Sequence, residues 1–386
     1  MASGNRLQRE GLTTRLPMGC LRDMSERERI RLGIIGCGEA TQVLHLPSLH
    51  QLSGLFRVTA LCDPSRQVLD GLARREGVEQ VYGEASALLD QSGVEAVLVA
   101  NPNPFHAGCV LASLERGIHV MVEKPMCLTL RETEAIEEAR RQSGRVVNVG
   151  YMRRHAPAFH EARRRLPSLG PVRMAHMRCI IGRNDLFTRS TSRTLRGNDL
   201  PARLAAEADR ARAALVEEAI GPAGPDLQNA FNLLMGLGTH DLSVLRGLLG
   251  RPRGVLAAAA RDGGSCLSAL LDYGGFLCHY EIAVDSVPRF DACIELFTGS
   301  ARISLKYDTP YVRNLPVTLE LVRNDGRDGL LRETFQPEWS DPFVSQWQAF
   351  HENITTGSPP DSPPAAFRED LELVLELVRA MQPEGS

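Results

Sequence analysis

The amino-acid sequence predicts two domains, an α/β domain built on a parallel sheet and then an α+β domain with a large, mostly antiparallel sheet. The chain has 386 residues, more than a single hydrophobic core usually holds. Up to about residue 150, short apolar runs alternate with helical patterns, which is typical of a parallel sheet. Farther on, apolar and polar residues alternate one by one, which indicates strands with one polar face.

Short apolar runs and the helices that join them make up the first half of the chain. The runs are 31–35, 57–62, 94–100, 118–122 and 146–149. A helical stretch carrying Val43, Leu44 and Leu49 follows the first run, and a helix over about 130–142 precedes the last. Because such strands and helices form right-handed βαβ units, we expect the first domain over 30–150.

The second domain is expected over residues 151–386. Apolar and polar residues alternate with a period of two in the segments 276–285, 290–295, 301–307 and 317–321. These segments are predicted to be consecutive strands. Residues 200–220 are rich in Ala and Glu at helical spacing and precede a Gly- and Pro-rich stretch. We therefore expect an inserted helix and loop over about 198–225. An amphipathic helix is expected over 367–381.

Composition narrows the class of protein. The net charge of −3 gives no reason to expect nucleic acid or an acidic membrane as a partner, and no apolar run reaches the length of a membrane span. The nine cysteines are never spaced C-x-x-C, which favours reduced thiols in a cytoplasmic protein over disulfides or a metal site. Residues 1–29 are polar and Arg-rich; we expect a disordered extension there, with Met24 as a candidate true start.

A glycine motif follows the first apolar run. Gly36 and Gly38 stand between this strand and a helix, an arrangement that lets backbone N–H groups and a helix N-terminus meet a pyrophosphate. Thr41 replaces the usual third glycine, which weakens the motif. Asp63 ends the second run and could accept hydrogen bonds from an adenosine ribose. The pattern predicts a Rossmann domain that binds NAD in preference to NADP, although Arg66 lies close enough to weaken that preference.

Further motifs follow in order along the chain. They are Gly36-Cys37-Gly38, Asn101-Pro102-Asn103 with His106, Gly117-Ile118-His119-Val120 running into Glu123-Lys124-Pro125, and Gly238-Thr239-His240. With these motifs the sequence resembles the Gfo/Idh/MocA family (glucose–fructose oxidoreductase, inositol dehydrogenase and rhizopine catabolism), from about Arg29 to the C-terminus apart from the inserted helix. The resemblance implies NAD(P)-dependent oxidation or reduction of a secondary hydroxyl or keto group of a sugar, cyclitol or related polyol. It also implies a homo-oligomer, either a dimer or a tetramer.

The resemblance places the catalytic lysine at Lys124 and cofactor contacts at Asn101 and His106. A lysine that titrates near about 10.4 is a poor base at neutral pH, but burial beside a cationic nicotinamide would lower its pKa. Glu123 could orient Lys124, contact the cofactor ribose, or only pair with the lysine charge. For His106, the start of a helix is an equally good interpretation.

His240 precedes an amphipathic run, so we expect it in the first turn of a helix, where the dipole favours a neutral imidazole that donates to a substrate hydroxyl. The family commonly carries Asp four residues before this histidine and another Asp three residues after it. This chain has Gly236 and Ser243 there, so the usual lysine–aspartate–histidine set is incomplete. Asp241 is expected only to add charge to the first turn.

Weaker candidates for substrate contact are Arg153 and Arg154, after the last strand of the first domain, and Tyr280 in the second sheet. The loop from Tyr307 to Tyr311 could form a wall of the site. Two rival functions stay open. One is a dinucleotide-binding regulator without catalysis, which the incomplete residue set allows. The other is a lyase or glycosidase that uses bound NAD transiently.

Overall fold

The structure is a computed structural model that describes residues 29–327, 329–336 and 341–382. The expectations for residues 1–28, including Met24, lie outside the described residues. Within the described ranges the chain forms a six-stranded sheet and an eight-stranded sheet. The predicted fold class, a parallel α/β domain followed by an α+β domain, is confirmed. None of the helices in these ranges is both long and apolar enough to cross a membrane.

The first sheet is parallel, with the strand order 3-2-1-4-5-6. Its elements are β1 (Ile30–Ile35), α1 (Leu46–Gln51), β2 (Phe56–Cys62), α2 (Arg66–Glu76), β3 (Gln80–Tyr82), α3 (Ala85–Gln91), β4 (Ala96–Val99), α4 (His106–Glu115), β5 (His119–Val122), α5 (Leu130–Ser143) and β6 (Val147–Val149). The order of the strands reverses between β1 and β4. A crevice opens at the carboxyl ends of the strands at such a point, and ligands bind there in sheets of this kind.

The second sheet has the order 14-13-12-11-7-10-9-8, in which only β7 and β10 run parallel. The elements after β6 are α6 (Pro157–Arg165), β7 (Val172–Gly182), α7 (Asp185–Thr191), α8 (Ala202–Ile220), α9 (Pro225–Leu233), α10 (Thr239–Leu249), β8 (Gly254–Arg261), β9 (Cys266–Asp272), β10 (Leu277–Asp285), β11 (Phe290–Thr298), β12 (Ala301–Tyr307), β13 (Thr318–Asn324), β14 (Leu330–Phe335), α11 (Pro342–Thr356) and α12 (Pro364–Met381). The mixed pairing arises because β7 comes early in the chain and is later enclosed by β10 and β11.

Helical backbone continues from α9 into α10 through a π-helical turn, Leu234–Gly238, whose flanking residues all have right-handed helical angles. His240 therefore lies within a long helix. His240 lies in the first turn of α10, as predicted, but that turn is not a helix N-terminus, because Gly236 and Gly238 are accommodated inside continuous helical backbone. Turns of this π type are rare in proteins, and those that occur are often found at functional sites.

Helix α11 returns to the first domain, although it follows the whole second sheet in sequence. Its Trp347 and Phe350 are fully buried against the first sheet, where both rings contact Phe56. Burial of a ring such as that of Phe350 contributes about 2 kcal/mol to stability. This packing brings residues from the end of the chain close to the carboxyl end of β5.

Candidate active site

Two adjoining cavities lie in the crevice between the domains. The first, of about 510 Å³, is lined by Asn101, Asn103, His106 and Arg212 among others. The second, of about 350 Å³, is lined by Arg153, His240, Phe290, Tyr311 and mostly apolar neighbours. Both cavities include Ala40, Glu123, Lys124 and Gly236 in their walls. Lys124 therefore stands at the junction of a space beside the glycine loop and a space beneath the second sheet.

The glycine loop leaves room for a bound group at its tip. Gly36 has a φ of +96°, and a Cβ there would lie 2.4 Å from the backbone N of Asn101, so only glycine fits. Gly38 is exposed, and a Cβ built on it would meet no atom within 4 Å. Thr41 is buried and its hydroxyl donates to the Gly36 carbonyl over 2.6 Å. Thr41 thus stabilises the loop, and the open backbone at Gly38 fits a pyrophosphate.

Asp63 lies beside this loop, at the end of β2. Its Oδ2 accepts a hydrogen bond from the Cys37 N–H over 2.9 Å, and its Oδ1 accepts one from the Ser65 N–H, also over 2.9 Å. A carboxylate offers about four acceptor positions. Asp63 therefore keeps acceptor capacity for a ribose while it fixes the geometry of the loop.

His106 and Asn101 connect two loops at the wall of the first cavity. His106 is buried, with Nδ1 2.8 Å from the Pro125 carbonyl oxygen and Nε2 2.7 Å from the Asn101 carbonyl oxygen. Since both ring nitrogens face main-chain oxygens and α4 begins at this residue, the geometry favours the helix-start interpretation over a cofactor contact. The Asn101 side chain donates to Cys109 Sγ over 3.4 Å, and its Oδ1 has no donor within the described part of the chain.

Glu123 is held by a buried chain of hydrogen bonds that the sequence does not predict. The Trp347 indole N–H donates to His45 Nδ1 over 3.2 Å, and His45 Nε2 lies 2.9 Å from Glu123 Oε1. Because an indole nitrogen can only donate, Nδ1 accepts and Nε2 carries the proton directed at Glu123. Burial opposes the ionisation of Glu123, but His45 and Lys124 together hold its pKa below the ordinary value. Glu123 is thus a fixed carboxylate next to Lys124.

Lys124 follows β5 and reaches across the crevice to the long helix. Its Nζ donates to the carbonyl oxygen of Gly236 in the π-helical turn, over 2.6 Å. Burial lowers the pKa of the amine, and the charge of Arg153 lowers it further, against the opposing effect of Glu123. A main-chain oxygen therefore contacts the lysine at the position where the family commonly has an aspartate. The amine has the environment that a base needs to act nearer neutral pH.

His240 lies one turn after Gly236 and lines the second cavity. Its ring packs edge-on to Tyr151, with centroids 6.4 Å apart, and its buried Nδ1 has no partner among residues 29–327, 329–336 and 341–382. Burial lowers its pKa well below the ordinary value, and the charges of Lys124 and Arg153 lower it further. The ring is therefore neutral, as expected from sequence, but through burial and charge and not through a helix N-terminus.

Arg153 and Asp241 form a buried ion pair under the second cavity. Asp241 also accepts a hydrogen bond from the Tyr280 hydroxyl over 3.2 Å, and the Arg153 guanidinium lies over the ring of Tyr307 at 5.3 Å. The expectation that Asp241 only adds charge to the first turn is wrong, because its carboxylate is fully buried in this ion pair. The carboxylate is compensated as a buried charge requires.

Of the three weaker candidates for substrate contact, only one lines a cavity in the structure. Arg153 lines the second cavity, whereas neither Tyr280 nor Arg154 is part of either wall. Arg154 is buried, which lowers its pKa, as does the charge of Arg246. Tyr311 does form a wall, and its hydroxyl accepts a hydrogen bond from Asn184 over 2.9 Å.

Known proteins resemble this chain in sequence. Residues 30–151 match the model of the Gfo/Idh/MocA family, described as an oxidoreductase family with an NAD-binding Rossmann fold. Inositol 2-dehydrogenase 2 of Saccharopolyspora erythraea is 27% identical over 342 residues, which cover 85% of this chain and 85% of that protein. The scyllo-inositol 2-dehydrogenase (NAD(+)) of Bacillus subtilis is 28% identical over 138 residues, which span 36% of this chain and 40% of that protein.

A solved structure shares the fold of both domains. The 3-ketoreductase from Actinomadura kijaniata in complex with NADP superposes with a TM-score of 0.66 at 21% identity, covering 92% of this chain and 96% of that chain. At this level of identity the likeness concerns the fold alone.

Proposed function

Because this chain belongs to the Gfo/Idh/MocA oxidoreductase family, we propose that it is an NAD(P)-dependent oxidoreductase. Its substrate would carry a secondary hydroxyl or keto group on a sugar, cyclitol or related polyol. The observation that carries the proposal is the position and the lowered pKa of Lys124. This half-buried amine, with its lowered pKa, stands where the two cavities meet and lines the second cavity together with the neutral ring of His240. The names of the relatives support the substrate class.

The two side chains divide the acid–base work. In the oxidative direction, the Lys124 amine accepts the proton of the substrate hydroxyl at Nζ, while His240 donates a hydrogen bond to the same oxygen. The carbonyl of Gly236 and the carboxylate of Glu123 hold the lysine in place. A bound nicotinamide dinucleotide supplies the acceptor for the hydride. In the reductive direction Lys124 returns the proton.

The first cavity and the glycine loop fit that dinucleotide. Gly36 permits the close approach of the loop to Asn101, Gly38 leaves its backbone open, and Asp63 offers free acceptor positions at the end of β2. The same cavity reaches Lys124 at its inner end. We propose NAD as the preferred cofactor, because Asp63 repels a 2′-phosphate.

Absorbance at 340 nm tests the function. Purified protein is mixed with NAD or NADP and a panel of cyclitols, sugars and their keto derivatives, with Lys124→Met as the inactive control. We expect net formation or consumption of reduced nucleotide in proportion to product. Nucleotide binding without any turnover would support the regulator instead. Substrate consumed without net change at 340 nm would support the lyase or glycosidase.

Replacing Asp63 with Ala should weaken NAD binding and reduce discrimination against NADP. The variant loses the acceptor for ribose hydroxyls and the charge that repels a phosphate, and it also frees the Cys37 N–H. Titration of both nucleotides measures the result, with Asp63→Asn to separate charge from hydrogen bonding. An unchanged NAD/NADP ratio in both variants would contradict this role.

We also propose a cytoplasmic homo-oligomer, a dimer or tetramer, joined through the second sheet. Met174 and Leu277 are exposed on the open face of that sheet, where the rings of His176 and His279 lie 4.9 Å apart. Measurement of molar mass in solution by light scattering should give two or four chains. A monomer at micromolar concentration would contradict this assembly.

A further inference from the structure

A segment of the second domain, residues 192–199, lies across the first domain and is called the strap here. The backbone of Leu195 forms two hydrogen bonds with the Gln42 side chain, over 2.8 and 3.0 Å. Arg196 pairs with Glu39 over 2.8 Å. The strap is therefore attached to the helical residues that follow the glycine loop.

The end of the strap reaches the amino end of α2. The Asp199 carboxylate accepts a hydrogen bond from the Ser65 hydroxyl over 2.5 Å and another from the Gln67 N–H over 3.0 Å. Asn198 also donates its N–H to the side-chain oxygen of Gln67 over 3.1 Å. These bonds hold the pKa of the Asp199 carboxyl below its ordinary value. Asp199 is thus an ionised side chain fixed at the first turn of α2.

The donors that Asp199 occupies lie two to four residues after Asp63. Ser65 caps α2, and its N–H is bound to Asp63 Oδ1 over 2.9 Å. A hydroxyl and first-turn N–H groups at a helix N-terminus are well suited to bind a phosphate. Arg66 stands next to them, paired with Asp70 over 2.9 Å. Without Asp199, this turn would have the donors and the positive charge to hold a 2′-phosphate.

We propose that Asp199 is a specificity-determining residue that excludes NADP. The inference rests on the proposed function, which places the adenosine ribose beside Asp63. A phosphate on the 2′-oxygen would meet two carboxylates, Asp63 and Asp199, and would find the Ser65 hydroxyl and the Gln67 N–H already bound. NAD presents a neutral hydroxyl to the same place and meets neither obstacle. The carboxylate comes from the segment next to the inserted helix, in a different domain from the nucleotide fold.

Titration of NAD and NADP against the full chain tests the proposal, with binding followed by calorimetry. For Asp199→Ala we expect NADP affinity to rise on the order of tenfold, since a charged hydrogen-bonding site becomes free, and NAD affinity to change by less than about threefold. Asp199→Asn keeps the size of the side chain and should give part of the gain. Glu207→Ala removes an exposed carboxylate of α8 and should change neither affinity. Thermal unfolding of each variant checks the fold.

The possible failures are distinguishable. If wild type binds NAD and the NADP affinity of both Asp199 variants equals that of wild type, the inference about Asp199 is wrong and the proposed function stands. Equal gains in NAD and NADP affinity would also overturn it, because the strap would then obstruct both nucleotides alike. If wild type binds neither nucleotide, the proposed function and the inference are both contradicted.

Discussion

Lys124→Met is expected to lower turnover by about a thousandfold or more while NAD affinity and thermal stability stay close to those of wild type. Methionine retains most of the stem and removes the amine that accepts the proton, and acid–base groups contribute about 10²- to 10⁴-fold. The substitution also removes the hydrogen bond from Lys124 to the Gly236 carbonyl. Because Gly236 is exposed, a water molecule can donate to this carbonyl in place of the amine. Steady-state rates at 340 nm and a nucleotide titration measure the two effects separately.

A matched variant and the pH profile make this test specific. Lys124→Arg retains a positive charge but cannot release its proton at neutral pH, so it should be as inactive as the methionine variant. In wild type, alcohol oxidation should increase with pH as the amine loses its proton, with a midpoint below about 10.4 because burial lowers the pKa of Lys124. Substantial turnover in either variant would mean that another group is the base.

His240→Ala is expected to lower kcat and kcat/KM together, by about a hundredfold. A neutral, preoriented donor stabilises charge that develops on the reacting oxygen, and loss of one such donor costs about 10²- to 10³-fold. Because burial and nearby charges keep the ring neutral, the pH profile of wild type should show no limb from this histidine near its ordinary range. Joint loss in both constants marks an interaction made in the transition state.

Other outcomes for His240 have definite meanings. His240→Asn keeps a donor in a shorter side chain and should recover part of the lost rate. A rise in KM at constant kcat would limit His240 to substrate positioning. Full activity of His240→Ala would show that His240 takes no part in the reaction.

The first domain could be predicted from sequence because its signals are local. The strand before Gly36, the glycines of the loop and Asp63 follow one another within a short stretch, and each apolar run is bounded by turn residues. Lys124 lies where its motif predicts, two residues after the end of β5. In such units the order of elements along the chain largely fixes their order in space.

Other parts of the site depend on contacts that no local pattern contains. Trp347 is 302 residues from His45, yet its indole N–H fixes the proton that His45 directs at Glu123. Half of the residues of strand β8 are alanine, and the strand lacks the alternation of apolar and polar residues that indicates a strand. The long helix is a third case, since glycines that often end helices lie inside it at Gly236 and Gly238.

The glycine at position 236, where the family commonly has an aspartate, has a structural explanation that the sequence alone does not give. Sequence comparison sees the loss of a carboxylate, whereas the structure has the main-chain oxygen of the same residue 2.6 Å from Lys124 Nζ. A backbone oxygen accepts a hydrogen bond without adding negative charge, so it orients the amine and does not raise its pKa as a carboxylate would. The incomplete residue set is therefore compatible with Lys124 as a base.

Transfer of a label from substrate to nucleotide tests most directly the claim that the protein moves a hydride from a secondary alcohol to a nicotinamide dinucleotide. The best alcohol of the panel is prepared with deuterium on its carbinol carbon and incubated with wild type and NAD, and the released products are analysed by mass spectrometry. We expect free NADH to carry the deuterium and the released ketone to have lost it. Recovery of the deuterium in the organic product, with the nucleotide returned as NAD, would contradict it.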